Sequence, residues 1–313
     1  MTMNFSHGKI HLLYFFLFLS FVAIISTTRG MTISNATVSV KLKRKTLSVG
    51  GEQVLGLRKF RVVFDTGSSD LWAPSERWPT STCVFPHPLY NAKASKTHMT
   101  NGKVVTVRYN EANVKGILAQ ENVMIGGLLL EGQDFVQGTV PSDFFKTVVF
   151  DGVLGLAFPS LALKGTVTVW ENMVKKNLIS KHVFSIWLRS YHGDEQHEDP
   201  DGGQIVFGGF DPNYFKGEHV YVPLLKGLRN YWEITMSRII MGKEPTKHCA
   251  AQCTVVIDSG MTDILGPAPA ISWINKAIGP PRLEKLIAPR LISCRIYPSQ
   301  SEENFFHSPR EIT

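Results

Sequence analysis

A chain of 313 residues with 43% hydrophobic and only 19% charged residues can bury a sizeable core, which excludes global disorder and suggests two lobes or one large all-β unit. Its net charge of +7 would suit a nucleic-acid binder, but residues 1–61 hold nine Lys/Arg against Glu52 alone. The remaining body is close to neutral and offers no basic stripe for phosphate.

At the N-terminus His7 and Lys9 precede an apolar run of 16 residues, Ile10 to Ile25, followed by Ser26, Thr27, Thr28 and Arg29. That length falls short of the roughly 20 residues a membrane-spanning helix needs. The run reads as the apolar centre of a cleavable secretory signal over residues 1–28, whose removal leaves no stable membrane span. Passage into the secretory pathway permits disulfides and makes Asn35-Ala36-Thr37 a usable glycosylation sequon. The stretch Val40-Lys41-Leu42-Lys43-Arg44-Lys45 follows, which by composition alone is a solvated charge run.

Beyond it, aromatic residues, Val and Ile run in short segments broken by Gly, Asn and Pro, a pattern of strands rather than helices. The strongest signal spans Arg61 to Trp72. Val62, Val63 and Phe64 predict a buried strand that runs directly into Asp65, Thr66 and Gly67. A carboxylate at the end of an apolar strand is costly unless hydrogen bonds hold it. Thr66 and Ser68 can supply hydroxyls, and Gly67 lets a backbone N–H come close. Val105 to Tyr109 predicts a further strand whose tyrosine would pack on the core. The acidic, histidine-bearing stretch from Tyr191 to Asp201 matches no standard metal spacing and reads as a solvated turn, so no metal is expected. Cys249 and Cys253 suit a small disulfide loop; a zinc site would want a second ligand pair at similar spacing. Directly after them, Thr254-Val255-Val256-Ile257-Asp258-Ser259-Gly260 repeats the pattern of apolar strand, Asp, hydroxyl and Gly.

With both motifs in view, the chain resembles the pepsin and cathepsin D family, most closely its plant vacuolar branch, over approximately Phe60 to Gly279. Phe150-Asp151-Gly152-Val153-Leu154-Gly155-Leu156-Ala157-Phe158 is similar to the family's apolar-apolar-Gly segment beneath the first Asp loop. Gly202 to Gly209, Phe215 to Pro223, Trp232 and the Cys249/Cys253 loop extend the match, and Ser259 in place of Thr is similar to plant members. The resemblance implies an all-β, bilobal pepsin-like fold that hydrolyses peptide bonds at acid pH. Asp65 and Asp258 would be the catalytic pair around a water, supported by Thr66, Gly67, Ser68, Ser259 and Gly260. Tyr109 would sit on a β-hairpin flap with Trp72 as its hydrogen-bonding neighbour. No cofactor and no metal are implied. The partners would be peptide or protein substrates, without nucleic acid, of a monomer in a vacuole- or lysosome-like compartment or outside the cell. The basic leader resembles the family's pro-segment, whose lysines neutralise the acidic cleft.

On this reading the chain divides into a signal peptide (1–28), a basic pro-segment remnant (29–59), an N-terminal lobe with the first Asp motif and flap (60–180), a partial C-terminal lobe with the second (181–280) and a divergent tail (281–313). Several positions depart from the family pattern. Gly50 to Lys59 is too short to supply the family's first strands, and Trp78 stands where a cysteine would pair with Cys83. Cys83 is then a free thiol or a partner of Cys294. The flap reads Tyr109-Asn110-Glu111-Ala112, and Ala112 does not readily take a positive φ. Met261 removes a hydroxyl expected beside Asp258, and Asp263 is expected to bury an acid. After Gly279 the family pattern is lost, so the C-terminal lobe is expected to be incomplete, with unpaired strands. These departures favour an alternative, a catalytically impaired pepsin-like protein that binds peptides or proteins without cleaving them.

Overall fold

The computed structural model describes residues 2–6, 37–45, 48–55, 58–110, 112–189, 199–227, 229–241, 244–245, 249, 252–261, 263–278 and 293–298. In chain order the strands are β1 (Thr2–Ser6), β2 (Val38–Lys45), β3 (Ser48–Leu55), β4 (Arg58–Asp65), β5 (Leu71–Pro74), β6 (Met99–Arg108), β7 (Asn113–Ile125), β8 (Leu128–Pro141) and β9 (Gly152–Gly155). They continue with β10 (Phe184–Leu188), β11 (Asp199–Phe207), β12 (His219–Pro223), β13 (Glu233–Met236), β14 (Ile240–Met241), β15 (Glu244–Pro245), β16 (Cys253–Asp258) and β17 (Ser293–Pro298). Three helices, α1 (Asp143–Lys146), α2 (Val169–Lys175) and α3 (Ala268–Ile278), are subordinate to them, and the fold is all-β as expected.

β4 explains why an unbroken apolar run makes a strand here. Side chains alternate across a strand. Phe60, Val62 and Phe64 enter one buried cluster with Leu55, Leu154 and Ile205, while Val63 enters another with Trp72, Val136 and Val153. A strand buried on both faces has no polar alternation to display. It lies inside a ten-stranded sheet of order β10-β11-β2-β3-β4-β9-β5-β8-β7-β6. β4 and β9 run parallel, from Val62 opposite Gly152 to Asp65 opposite Gly155. Both glycines are required by packing. A Cβ on Gly152 would lie 2.1 Å from the Trp72 carbonyl oxygen, and one on Gly155 would lie 2.4 Å from the Ser69 backbone.

Two expectations change at the start of the sheet. The first strands, expected to be largely missing, are supplied by residues 38–55, with β3 pairing to β2, β4 and β7. The basic stretch is also not solvated throughout. Lys41 is exposed, but Val40 and Leu42, on the opposite face of β2, are 2% and 0% exposed inside the main core. β2 pairs on its other side with β11, so strands from both sides of residue 180 share one sheet.

A second sheet of order β13-β16-β17 carries the other motif. Unpaired strands are expected in this part of the chain, yet β16 is paired on both edges, with β17 from the divergent tail supplying one of them. Ile234, Cys253 and Val255 form a small core beneath it. Short ribbons join β1 to β12 and β14 to β15. Among the described residues no helix is long and apolar enough to cross a membrane. Most of the expected signal (residues 7–28), the sequon at Asn35 and the acidic loop at 190–198 lie outside the described residues.

Candidate active site

β4 and β16 end side by side, and the turns that follow are locked by a reciprocal exchange. The Thr66 N–H donates to Ser259 Oγ at 3.1 Å, and the Ser259 N–H donates to Thr66 Oγ1 at 2.9 Å. Each hydroxyl then donates onward to the opposite strand, Thr66 Oγ1 to the Ile257 carbonyl at 2.9 Å and Ser259 Oγ to the Phe64 carbonyl at 2.7 Å. Each hydroxyl therefore gives one hydrogen bond and takes one, which suits a buried site where an unpaired polar group is costly.

The carboxyl groups sit on this frame. Gly67 N–H donates to Asp65 Oδ1 at 2.8 Å, and Gly260 N–H donates to Asp258 Oδ1 at 2.9 Å. Ser68 Oγ donates to Asp65 Oδ2. Each carboxyl also lies against the glycine of the other turn. A Cβ on Gly67 would be 2.2 Å from Asp258 Oδ2, and one on Gly260 would be 2.2 Å from Asp65 Oδ1. Only a residue without a side chain permits that approach. Asp65 and Asp258 are 6% and 3% exposed, so two acids from distant parts of the chain meet in a largely dry place.

The two halves are not equivalent. Three residues after Asp65 stands Ser68 with its hydroxyl; three after Asp258 stands Met261, which has none. Asp263, expected to be buried, is exposed.

Tyr109 follows β6 in the hairpin that β7 completes, and its N–H donates to the Ala112 carbonyl at 2.7 Å. Trp72 Nε1 donates to the Tyr109 hydroxyl at 2.7 Å, and the Tyr109 ring meets Phe145 edge-on at 5.5 Å. Burial pushes the Tyr109 hydroxyl well above the usual tyrosine range, and the charge of Asp65 adds to the rise. The strain expected at Ala112 is not found. Asn110 and Ala112 are not among the residues with positive φ, and Ala112 packs inward instead; Glu111 lies outside the described residues.

Cys249 and Cys253 form a disulfide. Cys83 is a free thiol packed against the cluster around Trp72, and Cys294 is not its partner. Trp78 occupies that neighbourhood, stacked on Trp72 with ring centroids 5.7 Å apart. Reading Trp78 only as a lost cysteine missed this, although a bulky aromatic after an apolar strand is itself a packing signal. Sequence reasoning also missed Asp70. Burial raises its carboxyl from 3.8 to about 6, against the opposing effect of a hydrogen bond from the Leu163 N–H. Among the described residues no three His, Cys, Asp or Glu side chains converge as metal ligands would.

Residues 45–312 match the family model described as eukaryotic aspartyl protease. Procardosin-B of Cynara cardunculus is 39% identical over 223 residues, which cover 71% of this chain and 43% of that protein. Cyprosin of the same plant is 40% identical over 71% of this chain and 46% of its own length. Phytepsin of Hordeum vulgare is 39% identical over 71% of this chain and 42% of its own length. The chain spans less than half the length of these curated relatives.

Proposed function

Because the chain belongs to the eukaryotic aspartyl protease family, we propose that it hydrolyses peptide bonds at acid pH with Asp65 and Asp258 as its catalytic pair. The observation that carries this reading is the placement of each carboxyl against the opposite turn's glycine, held by the Thr66–Ser259 exchange. In this reading the two neighbouring carboxyl groups share one proton, since two full negative charges side by side repel. An acidic working range follows from the need for that proton. A water between them loses a proton to the ionised carboxylate as its oxygen attacks the scissile carbonyl carbon. The protonated carboxyl meanwhile donates to the carbonyl oxygen. Collapse of the resulting tetrahedral carbon expels the amine, which takes up a proton from the pair. The Tyr109 hairpin closes over an extended peptide and excludes water from it. The protein acts as a monomer on peptide or protein substrates, within the secretory pathway and in a vacuole-like compartment or outside the cell.

A second reading, a binder of peptides that does not cut them, is favoured by one feature, the thioether of Met261 where the first turn has the Ser68 hydroxyl. Hydrolysis of an apolar, extended peptide at acid pH separates the two. We expect cleavage by the full chain and a loss of about a thousandfold or more in kcat for Asp65→Ala and for Asp258→Ala. Peptide binding without cleavage by the unsubstituted protein would establish the second reading; cleavage unchanged in Asp65→Ala would remove Asp65 from the mechanism.

A further inference from the structure

Behind the strand ends lies a buried cluster that the proposed reaction does not use. Asp151 immediately precedes β9 and is 2% exposed. Its Oδ2 accepts the Arg61 backbone N–H at 2.6 Å and Arg61 Nε at 3.3 Å; its Oδ1 accepts Arg61 Nη2 at 3.2 Å. The Asp151 N–H in turn donates to the Arg61 carbonyl at 2.7 Å. His87 Nδ1 reaches the same Oδ1 at 3.0 Å from a side chain that is 2% exposed, and His87 Nε2 has no partner. With that nitrogen unpartnered, the ring is held through Nδ1, which donates to the carboxylate.

The position of the cluster matters more than its charge. Arg61 precedes Val62 and Asp151 precedes Gly152, and Val62 opposite Gly152 is the first rung of the parallel pair whose last rung is Asp65 opposite Gly155. At about 3.3 Å per residue the clamp lies roughly 13 Å along the strand from Asp65. Parallel strands have no tight turn to set their register, so a reciprocal side-chain and backbone grip at the entrance to the ladder does that work. The tolerance is small. On the other side of β9, one rung of slip past β5 would carry residues with a Cβ into the places where Gly152 and Gly155 touch the Trp72 and Ser69 backbone. His87, between Pro86 and Pro88, adds a third attachment. Its loop is pinned by Val84 N–H to the Lys146 carbonyl at 2.8 Å and by Tyr90 N–H to the Pro74 carbonyl at 2.8 Å, so α1 and β5 are referenced to the same carboxylate.

We propose that Arg61, Asp151 and His87 are positioning residues that fix the register of β4 against β9 and thereby where Asp65 stands. None of them touches substrate. The kinetic consequence rests on reading Asp65 as catalytic; the structural consequence does not.

The test compares full-length Arg61→Gln, His87→Ala and His87→Asn, with Glu121→Gln as a control at another buried carboxylate. Arg61→Gln is preferred to a substitution of Asp151, which would leave a guanidinium without its counter-charge. Backbone hydrogen exchange across segments 62–69 and 152–157 is expected to accelerate about tenfold or more in Arg61→Gln and His87→Ala. His87→Asn keeps a donor at the place of Nδ1 and is expected to restore protection, while Glu121→Gln leaves these segments as they were. In an active protein the two disruptive variants should also lose about ten- to a hundredfold in kcat per folded molecule with KM unchanged. Exchange that rises evenly over the whole sheet, or an active variant whose kcat per folded molecule does not move, would overturn the proposal. If the unsubstituted protein cleaves nothing, the proposed function fails and the exchange pattern alone decides the role of the cluster.

Discussion

Ser259 shows how much one hydroxyl does at the centre of this molecule. It accepts the Thr66 N–H and donates to the Phe64 carbonyl, both inside a buried junction. Ser259→Ala removes both bonds and takes from the buried Thr66 N–H its acceptor, a loss of about 1–3 kcal/mol. We expect thermal unfolding several degrees lower. A Tm within one degree of the unsubstituted protein would show that the exchange contributes little. Threonine at the same place keeps the hydroxyl and should retain most of the stability. The first turn carries the mirror arrangement through Thr66, and the glycines beside each acid admit no replacement, since a Cβ there would overlap the opposite carboxyl.

β2 is the element whose burial differs most from what its composition suggests. Its lysines and arginine read as a soluble leader, and the resemblance assigned the region to a removable pro-segment. Yet β2 lies between β11 and β3 with Val40 and Leu42 in the main core. Removing it would bare the edges of two strands and the apolar surface behind them. Replacing Leu42, which is fully buried, by Asp should cost about 3 kcal/mol or more, because a carboxylate enters an apolar site with no partner. Lys41→Gln, on the exposed side, should change stability little. After incubation at acid pH, intact-mass measurement is expected to find residues 38–45 still attached to the folded chain. A stable folded species beginning at or after residue 48 would refute that expectation.

For the molecule as a whole, stability should peak on the acid side of neutrality. Burial raises the carboxyl of Asp70 from 3.8 to about 6 and also raises that of Glu233. Groups raised on folding favour the folded state fully below their unfolded pKa, and that contribution is lost as pH climbs through the folded value. For Asp70 the loss runs between about pH 4 and 6 and amounts to at most about 3 kcal/mol. Glu121 opposes this at lower pH. Burial pushes it up, but the hydroxyls of Ser95, Thr97 and Tyr90 and the Asn122 N–H together hold it below 4.5, so its contribution fades as pH falls further. Thermal unfolding from pH 3 to pH 7 should therefore pass through a mildly acidic maximum. Asp70→Asn, which can still accept the Leu163 N–H, should flatten the decline toward neutral pH. An unchanged slope between pH 4 and 7 in that variant would contradict the burial argument.

Local chemistry was legible in the one-dimensional chain wherever a residue's task depends on its immediate neighbours. An apolar strand ending in Asp, hydroxyl and Gly announces a held carboxylate. A cysteine pair four apart announces a small loop, and Val62 to Phe64 announces a strand. What depended on partners far away in sequence was not legible. Neither the burial of β2, the filling of a lost disulfide's place by Trp78, the second edge that β17 gives to β16, nor the convergence of Arg61 and His87 on Asp151 leaves a local signature. Hydrogen-bond donors and apolar surfaces can be read from a sequence, but which of them face each other is decided only when distant strands share a sheet.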